Sequence, residues 1–168
     1  IALRGLHAVN YAWIRRGPPT ALTAAYLAAT GAPDVLALME GLSFGGYALQ
    51  PHLALAVFAA AAAGDGVAAG ILRWAGEELG WLAVAVLRQL DLQGEAVEVV
   101  QSGSVFDGGA AITAPMEAVV RLHAPRARFI RLRTLPVIGA VTLAVATGGR
   151  SPYPLRDRLI ATLPDVYP

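Results

Sequence analysis

The residues with the most chemical potential lie where a β-branched run stops: Glu98-Val-Val-Gln101 leads into Ser102-Gly103-Ser104 and then Val105-Phe106. A strand ending in Ser, Gly and Ser leaves backbone N–H groups without side-chain cover, and the glycine lets a flat ligand lie directly on the main chain. Such a surface suits a nucleotide. The same residues also serve simply to turn a chain from strand to helix, and spacing alone leaves both readings open. A second glycine pair, Gly45-Gly46, invites a phosphate-loop reading, but no Lys-Ser or Lys-Thr follows it, so a turn between helices is the better account.

Other chemistries are excluded or unsupported by residue type. The chain has no cysteine, which removes disulfides, thiolate nucleophiles, iron–sulfur clusters and Cys-ligated zinc, and its three histidines (His7, His52, His123) are scattered rather than spaced as metal ligands. Thirteen basic against twelve acidic residues give a net charge of +1, too little for a phosphate-backbone field, so no nucleic-acid partner is expected. Glu77 and Glu78 are expected to be solvated rather than catalytic.

These residues must be positioned by a real core, and 168 residues at 56% hydrophobic and 15% charged can supply one. The apolar run Leu53–Gly64 is shorter than the roughly 18 to 20 residues that a bilayer requires, so it is expected to be a buried helix rather than a membrane segment. No secretory signal opens the chain, and a cytoplasmic location is the default expectation. Helical spacing of Leu3, Leu6, Val9, Trp13 and Ile14 begins without a capping residue, as if the helix were already in progress, so a segment upstream is expected.

Further helices are expected from Thr20, as a capping residue, to about Thr30, from Val35 to Glu40, from Pro51 to Ala63, and from Val67 to about Leu90. Asp65 is the expected cap of the last of these. Val67, Ile71, Ala75, Leu79, Leu82, Val86 and Leu90 step by three or four and predict one packed apolar stripe. From Ala96 the period changes: Ala96–Gln101 reads as a strand, residues 108–125 contain a helix, 127–134 alternate as a strand, and Pro136–Thr147 reads as a buried helix. A β-α-β-α order favours a parallel strand pair joined by a helical crossover, with ligands at the carboxyl ends of the strands. The proline-rich tail is expected on the surface, with a short helix near Arg156–Thr162.

Four segments in order, "RRGPPTALT", "AAAGDGVAAGILRWAGEELGWLAVAVLRQLDL", "VEVVQSGSVF" and "LPVIGAVTLA", resemble the C-terminal half of the BadF/BadG/BcrA/BcrD-type ATPase family, which includes N-acetylglucosamine kinases. The resemblance covers residues 1–146, leaving 147–168 as a C-terminal extension. It implies an α/β, actin-like (ribonuclease-H-like) C-terminal lobe with a helix-rich first half followed by β-α-β-α. It further implies an ATP- and Mg²⁺-dependent kinase for N-acetylglucosamine or a related amino sugar, with a separate N-terminal lobe and possible homodimer formation. The family's phosphate loops and its Gly-Asp-Glu-Gly-Ser stretch do not occur here, so the metal ligands and the catalytic base fall outside the chain and no catalytic residue is assigned.

What carries over is the adenosine side. Gly103, Ser104, Val105 and Phe106 match the family's Gly-Ser-Val-Phe element, which places Ser102, Gly103 and Ser104 at the nucleoside, with Phe106 as a core anchor beneath. Pro51 and His52 would form the opposite wall of the adenine slot. The absence of cysteine favours the sugar-kinase branch over the cluster-bearing one. The alternative is a non-catalytic, truncated helical module, or an ATPase of the same family, acting in protein association.

Overall fold

The computed structural model describes residues 1–132 and 134–162, with Pro136 described by its backbone alone. The elements are α1 (Ala2–Trp13), α2 (Leu22–Thr30), α3 (Val35–Phe44), α4 (Leu53–Ala62), α5 (Gly66–Gln89), β1 (Glu98–Gln101), a 3-10 turn (Ser104–Gly108), α6 (Ala110–His123), β2 (Arg128–Arg131), α7 (Pro136–Thr147) and α8 (Tyr153–Thr162). The result is a helix-rich α/β chain. The two strands pair in parallel: Arg128 N–H donates to the Val97 carbonyl and Leu132 N–H to the Gln101 carbonyl, so both partners advance together along the chain. The chain divides into two units, residues 1–99 with 104–129, and residues 100–103 with the chain from Ile130 onward.

In the first unit the central element is α5, whose 24 residues rise about 36 Å. Its N-terminus is tied to that of α2 by one side chain. Asp65 accepts from Ala68 N–H (2.9 Å), which caps α5, and also from Ala21 N–H (2.6 Å) and the Thr20 hydroxyl (2.8 Å). Thr20 was expected to cap α2 itself; its hydroxyl does accept from Leu22 N–H at 3.2 Å, but the anion of Asp65 does most of the work at that end. Partial desolvation pushes the Asp65 pKa up, yet hydrogen bonds from Ala68, Ala21, Thr20 and Val67 outweigh it and hold the carboxyl below its ordinary value.

Two glycines one turn apart, Gly76 and Gly80, let α6 lie against the α5 backbone. A Cβ at Gly76 would collide with the Ile112 carbonyl and the Pro115 ring, and one at Gly80 would sit 2.8 Å from the Met116 carbonyl oxygen and 2.8 Å from Val119. Val84 and Leu87 continue this face and, with Val120, Ala124 and Ala127, form a cluster against which Val97, Val99 and Phe129 of the strand region pack. Pro115 forgoes one helical hydrogen bond, and its ring fills the space above Gly76.

A larger cluster joins α1, α2, α3, α4 and the first half of α5 through Val9, Leu22, Tyr26, Leu38, Leu53, Val57, Leu72 and Phe106. Tyr26 is fully buried with its hydroxyl donated to the Ala2 carbonyl (2.7 Å), and burial pushes its pKa up to about 12. The Arg4 guanidinium covers the Trp74 ring at 4.1 Å, a second tie between α1 and α5.

Three sequence expectations are corrected. The helix placed at Val35–Glu40 runs on to Phe44: Gly41 lies inside it, where the Tyr47 ring occupies the place of a Cβ, and the turn begins only at Gly45, whose φ is +81°. The stripe on α5 is packed in its first half alone. Ile71 and Ala75 are buried, but Leu82, Val86 and Leu90 are 66%, 53% and 61% exposed. Helix α4 is bent by 116° from α5 at the break between them, so it crosses α5 rather than running along it, and α6 takes a face roughly 120° round from the stripe. In the second unit α7 forms, but Ile138 is its single buried hydrophobic among the described residues, with Val137 and Leu143 at 57% and 66% exposure. Two helices and two strand ends cannot cover an all-round apolar helix. Helix α8 is exposed, as expected of the tail, and starts three residues earlier; Pro154 is tolerated in its first turn. The last six residues of the expected extension, 163–168, lie outside the described residues.

Two predictions follow from α5. Gly76→Ala and Gly80→Ala should each lower stability by about 1–3 kcal/mol because backbone, not a flexible side chain, meets the new methyl, whereas Gly70→Ala, which meets nothing within 4 Å, should raise it by up to about 1 kcal/mol; urea denaturation reads both. Asp65→Ala should cost about 1–2 kcal/mol at neutral pH. Because the folded pKa of Asp65 lies below the unfolded one, its contribution is complete above the ordinary value of 3.8 and is lost as pH falls through the folded pKa, so the gap between wild type and variant should shrink on acidification.

Candidate functional site

The Ser-Gly-Ser stretch begins where β1 ends. Gln101 is buried, and its carbonyl accepts from Leu132 N–H (2.9 Å) and from the Arg131 guanidinium (3.0 Å), which also reaches the Leu132 carbonyl (3.1 Å). The strand end is therefore held by backbone and by one charged side chain. Immediately after it Ser102, Gly103 and Ser104 are all exposed. Gly103 has φ +105°, a conformation that side-chain-bearing residues rarely adopt, and a Cβ there would meet no heavy atom within 4 Å. The glycine thus serves the backbone turn, and the space beside it is open.

Ser104 starts the 3-10 turn that carries Phe106 into the main core, where it is 9% exposed; the expected anchor role is what the packing shows. Val105 is half-buried against the same cluster. At Gly108 the chain meets the Phe58 ring of α4, which takes the place of a Cβ, and Gly109 then starts α6. Each small residue of the segment has a separate local cause: backbone conformation at Gly103, an aromatic neighbour at Gly108.

Pro51 and His52 lie exposed in the turn before α4. His52 lines a 240 Å³ cavity with Thr30, Tyr47 and Gln50. Pro51 belongs to the first unit, Ser102 and Gly103 to the second. Glu77 lies 3.9 Å from Arg73 on a solvated surface and Glu78 is exposed, which gives them the surface role expected. Among the described residues no three His, Asp or Glu side chains come together as a metal site. No single helix among them is long and apolar enough to cross a membrane.

Two features escaped the sequence reading. One is an apolar groove of about 800 Å³ on the first unit, between α4, α5 and α6, with Phe58, Leu72 and Pro115 among its walls and Arg73 at its edge. Its sequence signal is the three-to-four spacing of Ala111, Ala114 and Ala118, which leaves α6 without bulk on that side. The other is His123, whose ring lies 5.0 Å from that of Trp81. The Arg88 guanidinium lies 3.3 Å from His123 Nδ1, and Nε2 is buried without a partner among the described residues. A lone histidine near a helix end carries no sequence signal for this arrangement.

Comparison of the chain with protein-family models, with curated proteins and with solved structures finds no match. The local geometry of the turn yields its own prediction: Gly103→Ala should lower stability by about 1 kcal/mol through backbone strain alone, with the near-ultraviolet signature of the packed aromatics unchanged, as thermal melts and circular dichroism will show.

Proposed function

We propose that this chain is the nucleoside-holding C-terminal lobe of an ATP-dependent kinase with an actin-like, ribonuclease-H-like fold, acting on N-acetylglucosamine or a related amino sugar in the cytoplasm. The observation that carries the reading is the open flank of Gly103 at the carboxyl end of a parallel strand, the position at which α/β sheets take their ligands. The order of the four segments that resemble the kinase family supports it.

In this reading the bared main chain at Gly103 lies against the nucleoside, Ser102 and Ser104 offer hydroxyl and amide groups to it, and Phe106 fixes the turn from beneath. By the resemblance, Pro51 is assigned to the adenine side as well. Bound ATP with Mg²⁺ would supply the phosphoryl group and the charge neutralisation; the triphosphate cradle, the metal ligands and the base for the sugar hydroxyl are assigned to a separate N-terminal lobe. The chemical contribution of this lobe is positioning, holding the base and ribose so that the transferred phosphoryl meets the sugar in line.

A second reading, a non-catalytic module for protein association or homodimer formation, is favoured by one observation, the uncovered Leu82, Val86 and Leu90 on α5. Sugar-stimulated ADP release separates the two. The full-length gene product, given ATP, Mg²⁺ and N-acetylglucosamine, should release ADP in a sugar-dependent manner, and Gly103→Val should raise the KM for ATP several-fold while leaving the KM for the sugar unchanged. ADP release indifferent to the sugar would overturn the kinase reading; an unchanged KM for ATP with a lowered Tm would remove Gly103 from the nucleoside site.

A further inference from the structure

The second unit carries a charge imbalance that the nearly neutral chain conceals. Its described residues include four arginines, Arg131, Arg150, Arg156 and Arg158, against a single acid, Asp157. Asp157 is taken by Arg156 at 3.5 Å. Arg131 is directed to the carbonyls of Gln101 and Leu132. Arg150 and Arg158 have no carboxylate partner among the described residues, and both line one cavity of 580 Å³ where α7 turns into α8.

The construction of this cavity follows from the helix ends. The C-terminal carbonyls of α7 are used locally, since Ala144 accepts from Gly148 N–H (3.2 Å) and Val145 from Arg150 N–H (3.3 Å), so the Arg150 main chain is fixed while its guanidinium is left to the cavity. Ser151 lies beside it, in the segment that leads into α8. Val145, Pro154 and Leu155 add apolar lining, and Arg158 stands one turn beyond Leu155. Two arginines and a serine therefore line one concave site together with apolar residues, and the size falls within the range that holds small organic ligands.

We infer that this cavity binds a phosphate monoester with an apolar or planar body, through Arg150, Arg158 and Ser151. Two guanidiniums match the charge of a phosphate dianion, and their forked N–H groups with the serine hydroxyl offer more donors than the two oxygens of a carboxylate would use. Inorganic phosphate alone would leave most of 580 Å³ to water, whereas an organic ester sets its body against Leu155 and Val145. The site shares no residue with the Ser102–Ser104 turn and does not depend on the kinase reading.

The test is calorimetric titration of phenyl phosphate into the 168-residue chain at low ionic strength, with inorganic phosphate and benzoate as comparison ligands. Phenyl phosphate lacks a nucleoside, so it does not report on the turn. Saturable binding is expected, tighter than for either comparison ligand and weakening as salt is added. Arg150→Gln and Arg158→Gln should each weaken it by about tenfold or more, and Leu155→Ala should weaken phenyl phosphate while leaving inorganic phosphate unchanged. Arg156→Gln, outside the cavity, should leave the affinity unchanged. No binding, equal affinity for benzoate, or an effect of Arg156→Gln as large as that of Arg150→Gln would overturn the inference, the last because it would show only a diffuse surface charge.

Discussion

The first unit depends on how closely α6 approaches α5. That approach exists because Gly76 and Gly80 put no Cβ between the helix backbones, so the carbonyls of Ile112 and Met116 lie where side chains would otherwise stand. Close-packed interiors cannot absorb even one added methyl without displacement, so these two positions fix the separation of the helices. The consequence reaches the sheet region. Helix α6 is the crossover from β1 to β2, and the cluster built on Val84, Leu87, Val120 and Ala124 is the surface on which Val97, Val99 and Phe129 rest.

The other end of α5 is held by electrostatics rather than contact. Asp65 is shared by two helix starts, satisfying N–H groups at the beginning of both α2 and α5 and pointing its negative charge at two positive dipole ends. A single carboxylate can do this because Gly64, at φ +93°, reverses the chain directly before it and α4 ends at Ala62. Between the two constraints, a polar tie at one end and glycine packing along the middle, α5 has one face on α6 and one that is packed on α1 and α4 in its first half and left uncovered from Leu82 to Leu90.

The turn after β1 inherits its geometry from both sides of the glycine. Before it, the Gln101 carbonyl is held by the Leu132 amide and the Arg131 guanidinium; after it, Phe106 is sunk in the main core. Within this passage Gly103 is the residue able to take φ +105° without strain.

The sequence by itself determined the kind and order of the elements. Helical spacing, the cap at Asp65, the glycine turn at Gly45-Gly46 and the change of period at Ala96 are local signals, and each reappears within a few residues of its expected place. It also determined the small-residue turn at Ser102–Ser104 and the anchor at Phe106, because conformational demand and hydrophobicity are properties of single residues. Only the tertiary structure decided which apolar faces are covered. Leu82, Val86 and Leu90 read as core by period and are exposed because α4 crosses α5 instead of running along its second half, and α7 reads as buried yet finds too few neighbours. Gly76 and Gly80 look like weak points of a helix until α6 is laid against them. Arg150 and Arg158 look like ordinary surface charge until the turn between α7 and α8 sets both on one cavity. Period and propensity act over a few residues, whereas coverage, close approach and charge convergence depend on segments distant in the chain.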